Sequence, residues 1–428
     1  MTLTQPLAEK IIYVLGTSGT PPPDGVPYFN VGNESLLNTL ERFYFSSYLK
    51  NGGATFKMVV GDYGSGKSHF LYCLRHLAWK HNFAVAKVDL SPVETPYNNQ
   101  QLVYAAVARN LVYHEQETPE PLSAHRGLTT FLEQTLKRYL GCDDLSKAQQ
   151  ENEPYKALVN TINSSPMATL AYKAAILAYF EALISAHQAL RHSLERWLLG
   201  EVTTPEDTKL LRQVGVTGKI KPSNAFRMLR ALAQIVRTLS YSGLILLFDE
   251  VDRMASIGGR AEKLATDNLR EVIDRCRDDL PGAMFVYAVP PQFINDIVPR
   301  YPALQQRLRS PGKFSRINYF SPLISLEKLD LEEDLLMSAI GEKLIPIYEI
   351  AYQTQLNHTI QQANAAIMAN VARDIFLDIS HRRLFVKAFV NELTRQYIDG
   401  ERLITEEEAI AMVRGQADEL TQGETPPY

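Results

Sequence analysis

The 428-residue chain carries 44 Lys and Arg against 48 Asp and Glu, a formal net charge of −4, and is 45% hydrophobic and 21% charged. That length accommodates roughly two to four domains with sizeable cores, and the composition is that of an ordinary globular protein, which argues against disorder, collagen and fibre. The slight acidity removes the simplest kind of nucleic-acid binder, a strongly basic chain, while leaving a local basic groove open.

In chain order, a short helix over Pro6–Leu15 is followed by the breaker run Thr20–Pro27, an arm rather than a domain. Leu36, Leu37, Leu40, Phe43 and Tyr44 recur at helical spacing and predict a helix over Asn33–Lys50, stopped by Asn51-Gly-Gly53. Thr55–Val60 reads as a buried strand, Ser68–His81 as a helix and Phe83–Val88 as a second strand, a β–loop–α–β unit of the kind that builds parallel sheets. Two further strands, Leu244–Phe248 and Ala283–Val289, flank a helix over Ala261–Arg277, and Phe314–Tyr319 reads as a fifth. Between the second and third strands the pattern is mostly helical, with breaks at Glu115–Pro121, Gly141–Asp144 and Gly200–Pro205. The expected division is an N-terminal arm (1–30), an α/β core (31–325) with a helical insertion at about 115–222, a C-terminal helical lid (326–420) and a polar tail (421–428).

The decisive segment is Gly61-Asp62-Tyr63-Gly64-Ser65-Gly66-Lys67-Ser68, a complete G-x-x-x-x-G-K-[ST] phosphate loop, or Walker A motif. The three glycines are expected to turn the backbone at positive φ, so that consecutive N–H groups point at phosphate oxygens. The following helix adds its N-terminal dipole. Lys67 brings a point charge to the β- and γ-phosphates and Ser68 a hydroxyl to Mg²⁺. The nucleotide-contacting set is Gly61, Asp62, Tyr63, Gly64, Ser65, Gly66, Lys67, Ser68 and His69. A buried strand that ends in Asp249-Glu250 is costly unless the carboxylates serve a site at its carboxyl edge. In a phosphate-loop protein, Asp249 holds Mg²⁺ and Glu250 accepts the proton of the attacking water. This pair favours ATP hydrolysis in an AAA+-type core, a five-stranded, mainly parallel sheet between helices. An Asn-Lys-x-Asp guanine-reading motif is missing from the sequence, which favours ATP over GTP.

Weaker signals follow. Gln292, after Pro290-Pro291, is the polar candidate for sensing the γ-phosphate, with the prolines against it. Arg307 and Arg309 stand where an arginine finger is expected, with surface pairing as the plain alternative, and Arg382 opens a lid helix from which it could reach back to the phosphates. Arg227, Arg230 and Arg237 share a helix face that reads more readily as solvated than as a contact to nucleic-acid backbone. Cys73, Cys142 and Cys276 lie far apart, which excludes a disulfide scaffold and speaks against structural zinc. The sequence holds no apolar run near the ~20 residues of a bilayer span, nor a signal-like h-region, since Ile11–Leu15 is too short. A cytoplasmic protein without membrane contact is expected.

With these motifs in place, the chain resembles the P-loop ATP-binding proteins of BREX-type phage-defence systems, the BrxD-like group within the Orc/Cdc6-like part of the AAA+ class. The resemblance rests on Gly61–Ser68, Trp197-Leu-Leu-Gly-Glu201 and Tyr241–Asp252, with weaker support from Pro281–Tyr287 and Ser380-His-Arg-Arg383. It looks most similar to the ATPase subunit of the Shango defence system. The resemblance implies an ATPase core, a helical insertion and a helical lid, and an ATP- and Mg²⁺-dependent oligomer. Its implied partners are a superfamily-2 helicase and a TerB-like protein, with DNA as a target. Two departures stand out: Val289-Pro290 replaces the usual Gly-Thr after the strand next to Walker B, and His381 and Arg383 replace a proline and an acid in the lid motif. The expected function is an ATP-driven switch or motor in anti-phage defence. The alternatives are an Orc/Cdc6- or transposition-regulator-like loader that binds DNA itself, and a signalling ATPase that does no mechanical work.

Overall fold

The protein is described here from a computed structural model, which covers residues 3–113, 126–147, 152–254, 258–276, 280–310, 312–327, 331–374 and 381–423. The chain divides into two compact units: Leu40–Met58 with Leu77–Pro311, and Met1–Thr39 with Val59–His76 and Gly312–Tyr428.

The larger unit is built on a sheet. Its strands are β1 (Ala54–Val60, the last two residues of which fall in the smaller unit), β2 (Phe83–Asp89), β3 (Leu111–Val112), β4 (Gly243–Asp249) and β5 (Ala283–Val289), in the order β3-β2-β4-β5-β1. β2 and β4 run parallel from Phe83 beside Gly243 to Asp89 beside Asp249. β4 and β5 are parallel as well. Both are buried at every position, which is why they read as unbroken apolar runs rather than as an alternation. The two-residue β3, antiparallel to β2, was not expected from the sequence. The helical region after β3 includes Leu128–Leu140, Leu170–Ile184 and Gln188–Leu198. There the buried Trp197 donates its indole N–H to Gly218 O at 2.8 Å.

In the smaller unit the helix Gln5–Ser18 packs with Glu333–Tyr352, His358–Asp374 and His381–Asp399. Ile11, Leu15, Tyr348, Phe385 and Phe389 share one core. Gly341 permits that closeness, because a methyl there would press on Ala365 and on the Phe385 and Phe389 rings. The N-terminal arm is therefore part of a hydrophobic core.

Several elements differ from expectation. The helix expected over Asn33–Lys50 is α-helical over Glu34–Leu40 and then a π-helix over Glu41–Tyr48. Phe314–Tyr319 is not a strand. Ser315 Oγ accepts the Asn318 N–H, and the Asn318 side chain donates to Lys313 O, so two turn-forming residues fold the segment back. Phe314 is buried while Ile317 is 95% exposed. The strand of this region is β6 (Leu323–Ser325), in the smaller unit, instead. Thr421–Gly423 end the last helix, Glu406–Gly423. The break at Glu115–Pro121, and Arg277, Ser380 and residues 424–428, lie outside the described residues. Among the described residues no helix is long and apolar enough to cross a membrane.

Candidate nucleotide site

β1 ends at Val60 and a helix begins at Lys67, so the loop Gly61–Gly66 joins a strand to a helix N-terminus. Gly64 and Gly66 take φ of 72° and 92°, where a side chain would be strained. Gly61 does not, contrary to expectation; it is needed for space, since a methyl there would run into the Ser65 side chain. Lys67 Nζ donates to Gly61 O and Asp62 O, both at 2.8 Å, and lies 5.2 Å from the centroid of the Tyr63 ring, which is itself exposed. The turn is tightened by the Ser65 N–H to Asp62 O at 3.1 Å. Ser68 stands in the first turn of the helix.

Arg382, at the start of the helix His381–Asp399, closes on this loop within the same unit. Its Nη1 donates to Ser65 O at 2.6 Å, and its Nε is 3.8 Å from the Glu333 carboxylate. Burial lowers the Arg382 pKa, with Glu333 acting in the opposite direction. Two buried polar atoms here, Arg382 Nε and Ser65 Oγ, have no hydrogen-bond partner. Such atoms are costly unless a ligand satisfies them, and a cationic N–H beside a hydroxyl suits a phosphate oxygen. His69 serves differently. Its Nε2 is 3.0 Å from Asn30 Oδ1 and its ring 5.1 Å from Phe29. Burial, helped by Arg382, pushes its pKa down to about 4, so the neutral imidazole ties the N-terminal arm to the helix. Its backbone N–H, within the first helical turn, is the group it can turn toward an anion.

The acidic pair lies in the other unit, at the carboxyl end of β4. Asp249 is buried; its Oδ1 accepts the Glu250 N–H at 3.1 Å. Its Oδ2 is 3.2 Å from Lys87 Nζ, and Lys87 also pairs with Asp89. Sequence reasoning missed Lys87; the signal was Lys87-x-Asp89 at the end of the strand that lies beside Asp249. Glu250 adopts φ of 56°, a conformation that costs a non-glycine residue on the order of 1 kcal/mol and that gathers at functional sites. Its carboxylate pairs with Arg253 Nη1 at 3.0 Å. Its pKa is raised, chiefly by desolvation, with Asp89 and Asp249 adding to the shift and Arg253 and Lys87 opposing it. A carboxylate made more basic in this way suits a proton acceptor. Ser68 in its unit and Asp249 in the other each carry an oxygen of the hard kind that Mg²⁺ takes. Among the described residues no group of three or more His, Cys, Asp or Glu is arranged to hold a metal alone.

The remaining candidates separate. Arg307 is held by Asp274 through two nitrogens, with Nη2 to Oδ2 at 2.8 Å, and donates from Nη1 to Ala303 O at 2.6 Å. Arg309 caps the helix Pro302–Leu308 with its backbone N–H to Gln305 O at 3.1 Å, and its exposed side chain has no partner among the described residues. Gln292 is exposed on the turn after Pro290-Pro291. The arginine row 227–237 is not one solvated face, because Arg237 Nη1 donates to Lys50 O at 3.1 Å and Ser242 O at 2.8 Å.

A family model described as BREX system ATP-binding protein BrxC/D matches residues 5–407. No curated protein is significantly similar in sequence. Among solved structures, the Aeropyrum pernix ORC2 protein in its ADPNP–ADP complexes is 12% identical. That match covers 90% of this chain and 67% of that one, with a TM-score of 0.45, a likeness too distant to carry function across.

Proposed function

The chain belongs to the BREX system ATP-binding protein BrxC/D family, and we propose that it binds ATP with Mg²⁺ at Gly61–Ser68 and hydrolyses it as a switch or motor in anti-phage defence. The observation that carries this reading is the closure of Arg382 on the phosphate loop, with Ser65 Oγ and Arg382 Nε both unsatisfied there. The loop N–H groups and Lys67 bind the triphosphate, and Arg382 senses it from the lid helix. Ser68 and Asp249 would hold Mg²⁺, which neutralises charge on the β- and γ-phosphates. Glu250 takes the proton of the attacking water. The protein works in the cytoplasm as a homo-oligomer beside a superfamily-2 helicase and a TerB-like protein, with DNA as the eventual target.

The test begins with Arg382→Ala. Removing a charge-assisted contact to phosphate should weaken ATP binding about tenfold or more, measured by calorimetry on the full chain. Unchanged affinity would remove Arg382 from the nucleotide site and leave it as a prop for Ser65.

The arginine finger is proposed at Arg309 rather than Arg307, whose guanidinium is already committed to Asp274. Arg309→Ala should cut turnover and spare ATP binding, since a finger in trans contributes about 10³–10⁵-fold. Mixing it with Glu250→Gln should restore part of the activity, because a mixed interface can hold one intact base and one intact finger. Arg307→Ala is expected to lower the melting temperature instead. Specific activity that is flat with protein concentration, together with no rescue on mixing, would rule out a finger in either position.

A further inference from the structure

The end of β2 and the end of β4 place three carboxylates, Asp89, Asp249 and Glu250, around one buried ammonium. Lys87 has a side chain only 11% exposed, and Asp249 only 5%. Lys87 Nζ contacts Asp249 Oδ2 at 3.2 Å and also meets Asp89, which is 63% exposed. The in-register pairing of Asp89 with Asp249 fixes this geometry: Lys87, two residues before Asp89, projects from the same face of β2. The other Asp249 oxygen accepts the Glu250 N–H, so Lys87 and this backbone group contact different oxygens of the carboxylate. Glu250 feels all three neighbours, Asp89, Asp249 and Lys87, as well as Arg253.

We propose that Lys87 is a positioning residue that holds Asp249 as a resident counter-ion and yields it to the divalent cation that arrives with the triphosphate, falling back on Asp89. This rests on the reading of Asp249 as a Mg²⁺ ligand. A largely buried lysine against a buried aspartate offsets the desolvation of both. A dication arriving at the same oxygen competes with that ammonium, and the second partner, Asp89, gives Lys87 a place to go without losing its charge pairing. Before the dication arrives, the ammonium also offsets the negative charge of these carboxylates, which otherwise opposes an anionic ligand. Binding of metal-free ATP is thereby tolerated, and Asp249 is kept in one rotamer for the metal.

The experiment compares ATP binding by calorimetry in EDTA and in Mg²⁺, on the full chain. Lys87→Gln should weaken metal-free ATP binding about tenfold or more, the scale of one adjacent charge on a carboxylate site, and change Mg²⁺–ATP binding far less. The ratio of the two affinities therefore rises. Lys87→Arg, which keeps the charge, should return the ratio to that of the parent chain. Asp89→Asn, an exposed substitution that keeps Lys87 and removes its alternative partner, should move the ratio the other way, because Lys87 then competes harder for Asp249. It also tests the idea if Lys87→Gln does not fold. Equal weakening of both affinities in Lys87→Gln, or no change in Asp89→Asn, would reduce Lys87 to a structural ion pair. Asp249→Asn separates the two claims. If it leaves the Mg²⁺ dependence of the parent chain intact, the metal reading of Asp249 has failed and Lys87 falls with it. If it abolishes that dependence while the Lys87 and Asp89 variants do nothing, only the role of Lys87 is lost.

Discussion

Lys67→Ala should abolish measurable ATP binding. The ammonium sits inside the turn of the loop, bonded to the carbonyls of Gly61 and Asp62. Without it the charge of the β- and γ-phosphates has no point cation from the loop, and Arg382 is left as the other cation on this loop. Charge-assisted contacts to phosphate are worth about 1.5–3 kcal/mol each, and Lys67 supplies more than one, so a loss of about 10²-fold or more is expected. The Gly61 and Asp62 carbonyls also each lose a donor, while Asp62 O keeps the Ser65 N–H, so some loosening of the loop accompanies the loss. Calorimetric titration with ATP reads the first effect and a melting curve the second. Native affinity in a folded Lys67→Ala chain would refute the phosphate-loop assignment itself.

Glu250→Gln should bind ATP as the parent chain does and turn it over about 10²–10⁴-fold more slowly, the usual contribution of a general base. The substitution keeps the shape of the side chain and the left-handed backbone at φ 56°, and it removes the proton acceptor. It also releases Arg253 from its 3.0 Å pair, a surface contact of little energetic weight. The raised pKa of Glu250 makes a second, signed expectation. A base must be deprotonated to act, so kcat should fall as pH drops through a value above the ordinary 4.5 of a glutamate. A pH–rate profile checks this: an acid limb at or below that ordinary value would place the rate-limiting proton acceptor elsewhere. Near-native turnover of Glu250→Gln would have the same consequence.

The phosphate loop was legible because its chemistry constrains residue types within eight consecutive positions, Gly61 to Ser68, and because an apolar strand and an amphipathic helix flank it. β4 and β5 were legible for a related reason. Strands buried on both faces tolerate little but apolar residues, so their patterns survive in the sequence without any partner being known. The same local logic failed at Phe314–Tyr319, where three apolar residues among six look like a strand. There Phe314, Ile317 and Tyr319 supply the apolar pattern, and the turn chemistry of Ser315 and Asn318 outweighs strand propensity.

What the sequence determined by itself was local: the loop, the acidic strand end, the ATP-binding family and the helical character of the C-terminal region. What only the tertiary structure decided was which charged groups meet. Arg382 stands 317 residues from Ser65 in the chain and touches its carbonyl; the helix-opening position hinted at a role and could not supply the contact. Arg307 and Arg309 look alike in sequence, yet one is clamped by Asp274 and the other is exposed. Lys87 carries no motif at all, and its pairing with Asp249 exists because β2 and β4 lie side by side in one register. An arginine or lysine has a long, flexible side chain whose partner is set by whatever the fold brings within reach. Its role is therefore a property of the packing, whereas a phosphate loop is a property of the chain.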